Sequence, residues 1–293
     1  MSFVAFARSY GLELDYAIPD GRWHRTPTAD KRKSKKNGAY IFDGVRGVVK
    51  NFATMADYAA YRDGARIGTV NKAELRARRV MAEADKKARQ SEARDIAADM
   101  LKRATLQEHP YLIAKGFPEE RGLVLDGELL IPMRAFSLYK QLNSLQRIAA
   151  DGTKLFLPGG KAKGSVFIIG PFMTDERWLV EGYATGLSVM AGLRAMYRRA
   201  QTIVCFSSGN LAHVGRVVKA LSVPAYVFAD NDKSNAGREA AEETGLPWRM
   251  APIEGYDAND YQREFGVHAL AALLRDASRT EAARERLSAV SGS

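Results

Sequence analysis

Beyond residue 165 short apolar runs alternate with longer stretches whose apolar positions recur every three or four residues. The runs cover 166–169, 178–181, 202–206, 225–230 and 248–251, and helices are predicted over about 187–199, 211–221 and 237–244. That alternation predicts a parallel sheet covered on both faces. From 72 to about 107 there is no Gly or Pro, and Val80, Met81, Ala84, Ala88, Ile96, Ala97, Met100 and Leu101 recur at helical spacing among charges of both signs. A long connector helix, ended by His109-Pro110, is predicted there.

The flanks read differently. Residues 1–66 are short segments broken by Pro19-Asp-Gly21, Asn37-Gly38 and Asp43-Gly44, turn signals that predict a small β-rich module. Strands are predicted within 122–132 and over 142–148, with a turn at Asp151-Gly152. The last residues, 267–289, predict one or two amphipathic helices.

Composition narrows the chemistry. The 293 residues carry a net charge of +10, which favours a polyanionic partner, although charge alone does not distinguish nucleic acid from solvated lysines. Cys205 is the single cysteine and His24, His109, His213 and His268 are scattered, so no internal disulfide can form and no zinc is expected. No apolar run is long enough for a membrane helix, and the first 20 residues lack a basic segment followed by an apolar one; no membrane partner and a cytoplasmic site, in a bacterial host cell, are expected.

Candidate chemistry gathers where apolar runs end. Asp230 and Asp232 close one run and Glu181 another; i, i+2 spacing on a strand would put the two aspartates on one face, and oxygen ligands of this kind suit Mg²⁺ or Mn²⁺. Each motif is followed by mostly small residues, 182–186 and 234–237, which leave room above a sheet for phosphate at helix N-termini. Asp257 and Asp260 follow the last run, either as further ligands or as a helix cap. In the first module Lys31, Arg32, Lys33, Lys35 and Lys36 form a basic loop flanked by Trp23, His24 and Tyr40, which could stack on bases.

Leu179-Val-Glu181-Gly, then Phe228-Ala-Asp230-Asn-Asp232 and 237–241, resembles the Toprim domain shared by bacterial DnaG-type primases, topoisomerases and certain nucleases. The preceding motifs, His109-Pro-Tyr-Leu, Leu130-Ile-Pro132, Gly152-Thr-Lys154 and Lys163-Gly164-Ser165, are similar to the basic subdomain of primase cores, most closely the phage- and plasmid-encoded ones. The resemblance covers roughly residues 105–265. It implies an α/β fold in which a Toprim (parallel-sheet, Rossmann-like) domain, 166–266, follows a basic α+β subdomain, 109–165. A connector helix (67–108), a zinc-ribbon-like module without cysteines (1–66) and C-terminal helices (267–293) complete the expected order.

By the same resemblance Glu181, Asp230 and Asp232 are catalytic acids holding Mg²⁺ or Mn²⁺, with Asp257 and Asp260 as auxiliary ligands. Lys154, Lys163, Arg147 and Lys161 would contact nucleotide or template, and Arg22, Trp23, Arg25 and Lys31–Lys36 single-stranded DNA. Cellular primases usually carry a second acid four residues after the glutamate, where this chain has Thr185. The implied activity is synthesis of short RNA primers from NTPs on single-stranded DNA for phage or plasmid replication. No Gly-x-x-x-x-Gly-Lys-Ser/Thr stretch occurs, so a separate replicative helicase is the expected partner. The alternatives are a Toprim nuclease and a non-catalytic single-strand-binding module.

Overall fold

The computed structural model describes residues 1–29, 36–62, 72–137, 141–171 and 173–276, with only the backbone over 72–79. The chain forms two compact units, Met1–Met81 and Ala82–Ser293. In the first, helix α1 (Phe3–Ser9) accompanies a four-stranded antiparallel sheet, β1 (Trp23–Thr26), β2 (Gly38–Phe42), β3 (Arg46–Asn51) and β4 (Ala59–Arg62), in that order. Sequence reasoning missed α1, which the Ser2 hydroxyl caps by accepting from the Ala5 amide, and whose Phe3 and Ala7 face a core of Tyr40, Val49 and Tyr61. Asp43-Gly44 is the expected hairpin turn, its Asp43 carboxylate accepting from the Val45 and Arg46 amides. Asn37-Gly38 is not: Gly38 is a paired strand residue opposite Thr26.

Helix α2 (Lys72–Arg103) crosses from one unit into the other. It stops four residues short of the expected end, because Thr105–Gln107 leaves it to form the edge strand β5 beside β6 (Gly122–Leu125). Its buried stripe is Ala93 and Ala97 against Leu130, Leu145 and Leu157, while Val80, Met81 and Ile96 are exposed. The C-terminal half is thus a packed element of the second unit rather than a free connector. Small alanines allow that close approach.

The second unit continues with α3 (Pro110–Ala114) and the β6–β7 hairpin, β7 being Glu128–Ala135. Asp126-Gly127 makes that turn with positive φ at both residues, the geometry that matches strand twist. Then come β8 (Leu142–Ile148), β9 (Lys154–Phe156), β10 (Ser165–Ile169), β11 (Glu176–Val180), α4 (Tyr183–Ala195), β12 (Ala200–Val204), α5 (Ser208–Lys219), β13 (Ala225–Ala229), α6 (Ala236–Thr244), β14 (Trp248–Met250) and α7 (Ala258–Phe265), followed by a helix over 267–276.

One ten-stranded sheet holds the unit together, in the order β14-β13-β11-β12-β10-β7-β6-β5 with β8 and β9 branching from β7. β14, β13, β11 and β12 are parallel, as the alternation predicted. β10 is not: it runs antiparallel to both β12 and β7, and so joins the parallel part to the antiparallel part without a break. Alternation along the strands sorts the core. Trp178, Val180 and Phe228 face α4, α7 and the last helix, while Leu179, Ile203 and Val227 face α5 and α6. Among the described residues no helix is long and apolar enough to cross a membrane.

Candidate active site

Glu181 and Asp230 directly follow β11 and β13, two neighbouring parallel strands, at the carboxyl edge where such sheets present ligand sites. Both therefore leave the sheet at one place. A cleft of about 130 Å³ lies there, lined by Glu181, Gly182, Ala184, Thr185 and Asp230, by Asp257 from the start of α7, and by Tyr111, Lys115, Gln146, Lys154 and Phe206.

Asp257 arrives through the residue between the two aspartates. The Asn231 amide donates to Tyr256 O at 3.1 Å and its side chain to Ala251 O at 3.0 Å, tying the 251–256 segment to the end of β13. From there Asp257 caps α7, its Oδ1 accepting from the Asn259 and Asp260 amides, while Oδ2 accepts from the Thr185 hydroxyl at 3.0 Å. Buried Asn259 secures this helix, donating to Lys115 O and to the Ser188 hydroxyl. No sequence signal singled out Asn231 or Asn259, because both act through long-range backbone contacts.

The electrostatics of the cleft are those of crowded acids. Burial pushes the Asp230 carboxyl up to about 8, and the negative charges of Asp257, Glu181 and Asp232 push the same way against Lys154. Burial also raises Glu181, with Asp232 adding to it and Lys154 opposing. Asp230 Oδ1 is buried without a hydrogen-bond partner. Helix α6 is seated on the Asp230 backbone, so closely that a Cβ at Gly237 would lie 2.3 Å from Asp230 O.

Asp232 is placed otherwise than strand alternation suggested. β13 ends at Ala229, so Asp230 and Asp232 stand in a loop; Asp232 accepts from the Ser234 hydroxyl and amide. That hydroxyl, followed by nearby backbone amides at the start of α6, holds its carboxyl below the usual range. Asp260 points away: it closes the capping box by accepting from the Asp257 amide and borders a separate surface hollow with Arg263 and Glu264. Among the described residues no three His, Cys, Asp or Glu side chains converge as a ready-made metal cage. The donor set nonetheless fits a divalent cation, since an unpartnered buried carboxylate oxygen among like charges is what such an ion would relieve.

The cationic candidates separate by face. Lys154 on β9 reaches the cleft, its Nζ 5.8 Å above the Tyr111 ring. Arg147 does not: it pairs with Glu128 at 3.3 Å and lines a groove beside α2, while its neighbour Gln146 enters the cleft, as successive strand residues must face opposite ways. Lys161 and Lys163 are exposed and stand near His213 on α5, whose basicity is lowered by burial first and then by Lys163, Arg216 and Lys161. Tyr111 was missed although it sits in the His-Pro-Tyr-Leu motif; it is buried, its hydroxyl beside the Ala184 amide without a well-formed hydrogen bond, and burial followed by Asp257 raises it. Phe206 was missed too. It follows β12 with φ of +69°, and such left-handed backbone costs a non-glycine residue about 1–2 kcal/mol. Its amide donates to Glu181 O at 2.8 Å.

In the first unit Trp23 and Arg25 share the exposed side of β1. The Trp23 ring lies 5.6 Å from Tyr58, the Arg25 guanidinium 4.3 Å over Phe52, and Lys50 Nζ 4.6 Å over Tyr58. Trp23, Phe52 and Tyr58 are each about half exposed, at 53%, 49% and 55%. Tyr40, expected among the stacking residues, is instead a core residue stacked on His24. Arg22 stands in the exposed turn before β1, where its amide donates to Asp20, and Lys36 is exposed; Lys31, Arg32, Lys33 and Lys35 lie outside the described residues.

A family model described as Toprim domain matches residues 176–267. Solved structures similar to part of the chain include the following two. The primase fragment of the bacteriophage T7 primase-helicase protein matches with a TM-score of 0.39 and 17% identity, covering 52% of this chain and 65% of that one. The chain thus spans just under two thirds of that fragment's length. A chain in the structure of bacteriophage T7 lagging-strand DNA polymerase interacting with primase domains of two gp4 subunits, bound to an RNA/DNA hybrid and dTTP, matches with a TM-score of 0.41 and 16% identity, covering 60% and 91%. The matched family region starts with β11, whose end carries Glu181, and runs through β13 and the Asp230 loop to α7, so residues 176–267 of this chain are a Toprim domain.

Proposed function

We propose that the chain is a DNA primase that makes short RNA primers from NTPs on single-stranded DNA, serving phage or plasmid replication. What carries the reading is the meeting of Glu181, Asp230 and Asp257 with Lys154 in one cleft at the carboxyl ends of adjacent parallel strands. Glu181, Asp230 and Asp257 would hold Mg²⁺ or Mn²⁺, with Asp232 within electrostatic reach and also bracing the start of α6. Bound there, the metal would lower the pKa of the attacking 3′-hydroxyl and offset charge developing on the triphosphate. Lys154 would neutralise triphosphate oxygens, and Lys161 and Lys163 would meet the sugar-phosphate backbone.

The first unit would hold template. Three half-exposed aromatic rings interleaved with Arg25 and Lys50 are the means by which single strands are bound without sequence preference. A separate replicative helicase is the proposed partner.

The test is one assay with single-stranded template, labelled NTPs and Mg²⁺ or Mn²⁺, run on wild type and Asp230→Ala. Labelled oligomers lost in the variant are expected. Shortened template without oligomers would instead make the chain a nuclease, and no product of either kind would leave it a binding module.

A further inference from the structure

Phe156 stands at the end of the edge strand β9 with 43% of its surface exposed, beside the cleft that holds the acids. It rests edge-to-face on Phe206, the ring centroids 6.3 Å apart and the planes at 81°. Phe206 itself lines the cleft from the left-handed backbone conformation noted above, its amide held by Glu181 O. A bulky residue kept in that conformation at a site edge marks a ring whose direction is fixed by its surroundings.

Strand parity puts Phe156 on the cleft side. Lys154, two residues earlier, lines the cleft, and the cross-strand partner of Phe156 is Gln146, which lines it as well. Leu155 pairs with Arg147 and faces the opposite side. Residues i and i+2 of a strand stand about 6.7 Å apart. Lys154 and Phe156 are thus neighbours on the cleft side of β9.

We propose that Phe156, braced by Phe206, is a stacking shelf for the base of a nucleoside triphosphate whose phosphates meet Lys154. The shelf rests on the primase reading and adds to it the subsite that receives the base. An aromatic face accepts any base, so the shelf supplies affinity and orientation without selecting sequence.

The experiment is calorimetric titration of the full chain with ATP and, separately, with inorganic tripolyphosphate, both with Mg²⁺, alongside the primer assay. Phe156→Ala is expected to weaken ATP about 5- to 150-fold, the range expected for loss of one stacked ring, and tripolyphosphate less than about 2-fold. Phe156→Trp should restore ATP binding and Leu155→Ala should leave it unchanged. ATP bound as tightly by Phe156→Ala as by wild type, or both ligands weakened equally, would overturn the shelf, as would a wild type that retains no ATP. A wild type that binds ATP with the expected variant pattern yet makes no primer would sink the synthesis reading and leave the shelf standing.

Discussion

The Thr185 hydroxyl donates to Asp257 Oδ2 at 3.0 Å, linking the first turn of α4 to the first residue before α7. Thr185 stands where cellular primases usually carry an acid, and the residue it engages is itself an acid lining the cleft. On the proposed primase reading, Asp257, the cap of α7, would supply that carboxylate, with the Thr185 hydroxyl bonded to it. Asp257→Ser keeps a capping side chain for α7 but removes the charge, so its stability should stay within about 1 kcal/mol of wild type. Its primer synthesis should fall at least about 10-fold. Thr185→Val should show a smaller loss of the same kind. Primer assays paired with chemical denaturation check both, and an Asp257→Ser enzyme of full activity would remove Asp257 from the site.

Asp230 is costly to the fold. Its ordinary value of 3.8 rises to about 8, so between those pH values the unfolded chain releases the proton that the folded chain keeps. The stability this group contributes is present below 3.8 and lost as pH rises toward 8. Asp230→Asn should therefore raise the melting temperature in EDTA at neutral pH, by roughly 2–4 °C for each kcal/mol relieved. Synthesis should drop at least about 100-fold in the same variant. Unchanged or lower melting would contradict the cost of burying this carboxyl.

Gly237 is a packing requirement. A methyl group there would lie 2.3 Å from Asp230 O, which forces α6 away from the loop. Gly237→Ala should cost about 1–3 kcal/mol in denaturant titration. It should also impair synthesis more than its stability loss explains, because the backbone displaced carries Asp230.

A second pH effect lies outside the cleft. Glu176 is buried, and burial raises it more than Arg198, whose Nε stands 2.8 Å from Oε1, lowers it. Relative to its ordinary 4.5, its contribution to stability is present in full below that pH and lost as pH rises through the raised value. Glu176→Gln should gain stability over wild type as pH goes from about 4.5 to 7. A difference in melting temperature that stays flat over that span would refute it.

For the aromatic face of the first unit, Trp23→Ala, Phe52→Ala and Tyr58→Ala should each weaken single-stranded DNA by about 1–3 kcal/mol in fluorescence anisotropy. Arg25→Ala should in addition flatten the dependence on salt. Binding that survives the aromatic substitutions intact would move the template contact elsewhere.

The amino-acid sequence by itself determined the alternation of strand and helix after residue 165 and the acids at the ends of two apolar runs, since periodicity and apolar run length are local properties. It also carried the Toprim pattern. What only the tertiary structure decided is which polar residues share a space. Asp257 enters the cleft and Asp260 does not, because Asn231 ties their segment to β13 and the cap turns the second acid back. Gln146 enters and Arg147 does not, because pairing with β7 and β9 fixes which side of β8 faces the acids. Phe206 belongs to the site through folding alone, and Tyr111, though part of a recognisable motif, is brought there by folding. Such choices depend on register and on backbone hydrogen bonds between residues far apart in the chain, and no local pattern of side chains encodes them.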